Sequence, residues 1–354
     1  MKEIYIGDSK FSSEKLAEPV EEEKLKIEAS KERWGVLDDA SERFAKTLET
    51  NNYKFVAELP NGMKYPTVED WVRSRGLDSK HIRFYPAFIE NTETKALLFC
   101  KAKIASKLDY NAGLKTEADI LSLLPSDITT PKLIKYFPEN KESGQLELLV
   151  LEAVKWSEAQ VVPVGEWKPE YIEDVRLQIE HVGKIPLTSM PSVSQTPQKN
   201  IQRLFDQAGE QMTEAFESRA RIILQNPEMD FAPVFVHSDM WIKNILISTD
   251  ISKPKTMLVD WALAGAGYKG EDLARLWWDL WRNENLRPLY REIKDKETIF
   301  RKSILKLGLL YVALRDIVEY VEHIPTLVEP KLSQILAKIK EIQKQALVML
   351  EYLD

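Results

Sequence analysis

FVHSDMWIKNILISTDISKPKTMLVDW, residues 235–261, decides how this chain is read. Two apolar runs, residues 244–248 and 256–260, flank a seven-residue polar loop that contains Pro254. Their composition predicts an antiparallel hairpin. With Ser248 set opposite Thr256, Leu246 faces Leu258 and Asn244 faces Asp260. An amide and a carboxylate then share one face with opposed β-carbons about 5 Å apart, a separation that suits two ligands of one hard cation. Asp239 precedes Asn244 by five residues and reaches the same place from the incoming loop.

Phosphoryl transfer asks for this inventory. One carboxylate orients the attacking hydroxyl and accepts its proton, while an Asn and a second Asp hold Mg²⁺ on the phosphates. Oxygen ligands suit Mg²⁺ or Mn²⁺ and argue against zinc. A cation for the nucleotide phosphates is still needed. In KALLFCKAKI, residues 95–104, Lys101 and Lys103 sit in an apolar strand, an expensive place for charge unless it is paired. Glu117 opens the next helix 16 residues after Lys101 and is the expected partner. Spacing and strand position favour Lys101 over Lys103.

Upstream, KFVAELP reads as a strand, and Thr67 with Asp70 forms a capping box for the helix VEDWVRSR, which Gly76 would close. HIRFYPAFIE and KALLFCKAKI read as a hairpin joined by NTET. A helix over residues 113–124 and the strands KLIKYF and QLELLVLEAV follow. Residues 1–50 carry dense mixed charge with a thin stripe of Leu37, Ala40, Phe44 and Leu48, read as a peripheral helical arm or a partly disordered tail. The stretch 156–199 is Pro-rich and irregular around the helix EYIEDVRLQIEHV. Residues 200–225 read as one long helix, and the last 80 residues as helical.

At 354 residues, the chain exceeds one ordinary core and is expected to form two lobes. A net charge of −7 means that any phosphate ligand is met by local donors and disfavours a nucleic-acid partner. The single cysteine, Cys100, forms no intramolecular disulfide. The N-terminus lacks the apolar core of a secretory signal, and no run approaches the roughly 20 apolar residues of a membrane span. A cytoplasmic protein without a membrane partner is expected; the oligomeric state is not readable.

The segments LLFCK, TEADIL, LLVLEA, HSDMWIKN, LVDW and GEDLA, in that order across about residues 85–285, resemble those of the aminoglycoside phosphotransferase and choline kinase superfamily, the protein-kinase-like small-molecule kinases. The resemblance implies an α+β, two-lobe protein-kinase-like fold, with a small β-rich N-terminal lobe and a large helical C-terminal lobe that bind ATP between them. Residues 1–50 are then an extension, 51–152 the nucleotide-binding lobe and 153–354 the catalytic and substrate-binding lobe. By motif position Asp239 would be the catalytic base and Asn244 and Asp260 the metal ligands. Lys101, held by Glu117, would contact the phosphates, and Leu151 and Ala153 would offer backbone groups to adenine. Asp272 would support the catalytic loop, unless it only caps its helix, and His237 would be structural. Ser238 stands where Gly is common, and no phosphate-covering hairpin is identifiable before residue 84.

The expected activity is an ATP- and Mg²⁺-dependent transfer to a hydroxyl of a small molecule. The alternative is a weak or inactive kinase-like scaffold; a protein kinase is disfavoured because no activation segment follows Asp260. The acceptor pocket is expected from residues 156–200 and 270–325. Trp241, Trp261, Trp277, Trp278 and Trp281 admit a choline-like cation or simple core packing, and Glu271, Asp279 and Glu284 admit an amino sugar.

Overall fold

The computed structural model describes residues 40–59, 62–75, 83–105, 114–140, 142–154, 156–158, 168–190, 197, 200–227, 229–248, 255–282, 299–322, 324–326 and 329–354. Leu37, Gly76, Pro254, Glu284 and much of the Pro-rich stretch lie outside them. The chain divides into two compact units, Met1–Ser122 with Thr130–Ser157, and Leu123–Thr129 with Glu158–Asp354. Among the described residues no helix is long and apolar enough to cross a membrane.

The first unit is built on strands β1 (Tyr53–Phe55), β2 (Arg83–Asn91), β3 (Leu97–Ala105), β4 (Leu133–Phe137) and β5 (Leu148–Glu152), in the order β1-β2-β3-β5-β4. Each paired strand runs antiparallel to its neighbour. Alternation along β3 and β5 gives the sheet two apolar faces. Cys100, Ala102 and Val150 point to one face, covered by helix α1 (residues 40–50) through Ala40, Phe44 and Leu48 and by α2 (Val68–Arg75) through Val68 and Trp71. Phe99, Leu149 and Leu151 point to the other, covered by α3 (Leu114–Leu123) through Leu114 and Ala118. The capping box at α2 forms, with the Asp70 N–H donating to Thr67 Oγ1 at 3.2 Å.

Two expectations change in this unit. Residues 40–50 are no peripheral arm: Thr47 is buried and accepts the Leu146 N–H at 3.0 Å, and Arg43 Nε donates to Gly144 O at 3.0 Å. The apolar stripe at 40, 44 and 48 is the core-facing side of a helix. KFVAELP, in turn, is not one strand. β1 ends at Phe55, and the chain folds into a tight turn in which Leu59 N donates to Met63 O and Tyr65 N to Ala57 O, both at 2.8 Å. Gly62 adopts φ +79° and its N–H donates to Leu59 O at 2.8 Å, which suits a glycine at the turn.

The chain passes into the second unit at β6 (Trp156–Glu158). Helices α4 (Pro169–Val182), α5 (Ile201–Ala208) and α6 (Glu214–Leu224) lead to β7 (Pro233–Val236). Then come β8 (Ile245–Ser248), β9 (Thr256–Leu258), β10 (Gly265–Tyr268), α7 (Glu271–Arg282), α8 (Ile299–Val321) and α9 (Lys331–Tyr352). The expected helix over 200–225 is two helices, because Gly209 takes φ +43° and ends α5, whose start is capped by Asn200. Behind the hairpin, Thr256 donates its N–H and hydroxyl to Asp174 on α4 at 2.8 and 2.7 Å and accepts from Gln178 at 2.9 Å. α7 and α8 approach closely where Gly308 meets Gly270: a β-carbon on Gly308 would stand 2.5 Å from the Gly270 carbonyl oxygen.

Candidate active site

The hairpin register differs from the sequence expectation by one residue. Ile245 pairs with Leu258, Leu246 with Met257 and Ile247 with Thr256, so Asn244 stands opposite Val259, whose N–H donates to Asn244 O at 3.0 Å. Asn244 and Asp260 therefore do not share a strand face. Asn244 closes a 3₁₀ turn, Ile242–Asn244, and Asp260 lies beyond the strand in the left-handed region at φ +66°. Both residues leave the pleat, and a one-residue slip reverses which side chains share a face. The hairpin still brings the two together, since Asp260 directly follows the partner of Asn244.

Asp239 lies on the loop entering this turn. The Asn244 amide donates to the Asp239 carbonyl at 2.7 Å and to its Oδ2 at 2.9 Å. The loop backbone is held from below. Asp272, in the first turn of α7, accepts the N–H groups of His237 at 2.7 Å and Ser238 at 2.9 Å. It is thus a loop support and lies inside its helix, not at the cap. Burial pushes its carboxyl above the ordinary aspartate value, against the opposing pull of His237 and the two backbone donors. His237 Nδ1 accepts the Asp239 N–H at 3.3 Å while Nε2 lies 3.0 Å from the Val259 carbonyl. A carbonyl only accepts, so the ring carries its proton on Nε2 and ties the loop to the end of β9, the structural role expected of it. Ser238 takes φ +64°, which explains why a glycine suits this position.

The metal-binding residues expected from the sequence supply hard oxygen donors. The Asn244 amide nitrogen faces Asp239, so its carbonyl oxygen is the atom left for a cation. A pair of protein oxygens completed by phosphate and water is the usual coordination of Mg²⁺. Among the described residues no group of three or more His, Cys, Asp or Glu side chains converges on a common point. The residues present fit a phosphate-bound cation and not a closed protein cage.

In the first unit, Lys101 Nζ bonds both carboxylate oxygens of Glu117, at 2.8 and 2.9 Å. Glu117 is 1% exposed, so this pair is desolvated. Lys103 points the same way along β3 but meets Glu147 at 3.5 Å, and Glu147 also accepts from Tyr136 at 2.9 Å. Leu151 lies inside β5, paired with Phe99 and Leu133 on its two sides; Ala153 is the first residue beyond the Glu152 end of the strand and alone of the two lies outside that ladder.

Sequence reasoning missed Arg315 and Asp316 beside the loop and named Glu271 only as a contact for an amino sugar, whereas it is buried beneath the loop. Arg315, on α8, donates from Nη1 to Ser238 O at 2.7 Å. Glu271, 2% exposed, accepts the Tyr268 N–H at 3.1 Å, and burial pushes it up to about 8. Asp316 accepts from Arg275 at 2.7 Å and from Trp278 Nε1 at 3.0 Å. Both Arg315 and Asp316 are charges inside the apolar run LGLLYVALRDIVEYV, the same signal that singled out Lys101.

A cavity of about 500 Å³ opens beside the loop, lined by Trp241, Ile242, Asp279, Arg282, Asp316 and Tyr320, with Glu319 at its rim. Arg275 stacks 3.2 Å above the Trp241 ring and fixes that wall. Asp279 accepts the Ile242 N–H at 3.1 Å, and burial raises its carboxyl to about 6 although Arg275 opposes the shift. Trp277 and Trp278 are core residues, at 2% and 0% exposure.

The strand order of the first unit, with a helix between its third and fourth strands, and the supported Asp–Asn loop of the second define a protein-kinase-like, two-lobe α+β fold. Residues 189–300 match the phosphotransferase enzyme family. Over that stretch the chain is similar to phosphotransferases of the aminoglycoside phosphotransferase type. Among solved structures, the GDP and kanamycin complex of APH(2″)-IIia matches at a TM-score of 0.51 and 13% identity, over 75% of this chain and 92% of that one. A spectinomycin phosphotransferase, in complex with ADP and spectinomycin, matches at 0.49 and 13%, over 77% and 94%. An ethanolamine kinase of Plasmodium vivax matches at 0.46 and 10%, over 80% and 84%. No curated protein matches the sequence.

Proposed function

We propose that the chain transfers the γ-phosphate of ATP, with Mg²⁺, to the hydroxyl of a small amine-bearing molecule. The single observation that carries this reading is the Asn244 amide, which binds the Asp239 carboxylate through nitrogen and keeps its oxygen for a cation. Asp239 takes the proton of the acceptor hydroxyl as its oxygen bonds to phosphorus and the bond to the ADP oxygen breaks. Asn244 and Asp260 hold Mg²⁺, which when bound neutralises charge on the phosphates. Lys101, kept extended by Glu117, contacts the phosphates, and the backbone at Leu151 and Ala153 serves adenine. The GDP in the similar APH(2″)-IIia structure supports a nucleotide donor.

The cavity beside the loop supports the acceptor class. Asp279 and Glu319 offer carboxylates and Tyr320 an aromatic wall two to three residues of loop away from Asp239 at Trp241 and Ile242. An ammonium group satisfies the carboxylates, and a hydroxyl on the same molecule is presented to the base. A second reading, a weak or inactive binder, draws on one observation: β1 ends at Phe55 and the path to β2 holds a turn and α2 where a plain phosphate-covering hairpin is usual.

An ATP-consumption screen over hydroxylated amines, paired with an Asp239→Ala variant, tests both. The variant is expected to keep its thermal shift with Mg·ATP and to lose turnover. Unchanged turnover overturns the catalytic reading; absence of turnover in the parent across the screen, with a retained Mg·ATP shift, favours the binder.

A further inference from the structure

We propose that Arg315 is a positioning residue for Asp239 and that Glu271 sets how firmly Arg315 holds the catalytic loop. The inference rests on the reading of Asp239 as the base and names residues outside the motifs that suggested it.

The peptide between Ser238 and Asp239 carries the carbon from which the catalytic carboxylate projects. Ser238 is held at φ +64°, a costly conformation for a residue with a β-carbon, so the loop needs outside support to keep this geometry. Asp272 fixes the Ser238 N–H on one side. On the other side Arg315 Nη1 donates to the carbonyl at 2.7 Å. Arg315 reaches it from a different helix, 77 residues away in sequence.

The same nitrogen is contested. Glu271 Oε1 lies 3.9 Å from Arg315 Nη1, too far for a hydrogen bond, and among the described residues this buried oxygen has no hydrogen-bond partner. The groups facing Glu271 are Tyr268 on β10, Asp272 and Arg275 on α7, and Tyr311 and Arg315 on α8. Of these Arg315 is the cation with the largest influence on the carboxyl. While Glu271 keeps its proton, the guanidinium serves Ser238. Once the proton leaves to solvent, the carboxylate attracts Nη1, and a move of about 1 Å toward a normal ionic hydrogen bond lengthens the bond to Ser238. Burial holds the carboxyl high, up to about 8, so the change falls on the alkaline side of neutrality.

The experiment uses the full chain as Arg315→Met, Arg315→Lys, Glu271→Gln and Asp239→Asn. Amide hydrogen exchange over residues 237–244, without nucleotide, reads the loop independently of turnover. Arg315→Met is expected to speed exchange there about tenfold and Arg315→Lys much less, with the exchange of β8 and β9 unchanged. Hydrolysis of Mg·ATP, with water standing in as acceptor, reads the consequence: about tenfold or more off kcat in Arg315→Met, KM for ATP within about twofold, and partial rescue by Lys. The parent is expected to lose kcat above about pH 8 and Glu271→Gln to lose that alkaline limb.

A folded Arg315→Met or Arg315→Lys protein with parental exchange overturns the positioning role, as does an effect confined to KM. Superimposable pH profiles of the parent and Glu271→Gln overturn the part assigned to Glu271. If Asp239→Asn retains turnover, the base assignment fails, and the exchange result still decides what Arg315 does to the loop.

Discussion

Asn244 donates to both the backbone carbonyl and the carboxylate of Asp239, at 2.7 and 2.9 Å, so one amide locks the proposed base to the turn that carries a proposed metal ligand. Asn244→Asp removes the donor and sets a second carboxylate beside the first. Like charges at this distance disfavour ionisation. The acidic limb of the pH–turnover profile is expected to move up by about one pH unit or more, with turnover reduced at pH 7. A profile recorded from pH 5 to 9 with a fixed excess of Mg·ATP checks it; an unmoved acidic limb means that the carboxylates do not interact.

The Lys101–Glu117 pair admits a separation of structure from function. Removing Lys101 alone leaves Glu117, 1% exposed, without its cation. Lys101→Met is expected to cost about 3 kcal/mol in chemical denaturation, and Lys101→Met with Glu117→Leu to recover most of it, because two apolar side chains replace a buried ion pair well. Neither variant is expected to show the parental thermal shift with Mg·ATP. A double variant that is stable and still shifts fully with nucleotide rules Lys101 out as a phosphate contact.

Legibility in the sequence followed how local the determinant is. His237, Asp239, Asn244, Asp260 and Asp272 are carried by short motifs, and the Lys101–Glu117 pair followed from a charge stranded in an apolar strand. The hairpin register did not, because it turns on the 3₁₀ turn before β8 and the left-handed backbone at Asp260, neither of which alternation can express. The turn after Phe55, closed between Leu59 and Met63 around Gly62, overrode the β-propensity of KFVAELP. Arg315 and Glu271 matter only through tertiary contacts across α7, α8 and the loop. A stranded arginine in an apolar helix was nevertheless a visible signal.

Asp272 tests how much of the loop is held by one side chain. Its two oxygens accept the N–H groups of His237 and Ser238. Asp272→Ala leaves both unsatisfied and is expected to cost about 3 kcal/mol, with Asp272→Asn costing less because one oxygen remains. Equilibrium urea unfolding at pH 7 measures this. A loss below about 1 kcal/mol for the Ala variant would mean that water replaces the carboxylate freely and that the loop is not supported from α7.

Glu271 also makes stability depend on pH in a calculable direction. Its carboxyl moves from an ordinary value of 4.5 to about 8 on folding, because burial disfavours the ion more strongly than Arg315 favours it. A raised native value means that the folded state binds the proton more tightly than the unfolded chain. The resulting stabilisation is complete below pH 4.5 and is lost as pH rises through about 8. At 1.36 kcal/mol per pH unit the full loss is roughly 4–5 kcal/mol, an upper figure that relaxation of the site reduces. Glu271→Gln stays neutral at every pH, so its stability relative to the parent is expected to rise between pH 5 and pH 8.5 by a few kcal/mol, or several degrees in Tm. Asp279, raised to about 6, titrates in both proteins and cancels in the comparison. Urea unfolding of the two proteins across that range checks the prediction; a difference that does not change with pH would mean that Glu271 is ionised throughout and paired with Arg315 in the folded protein.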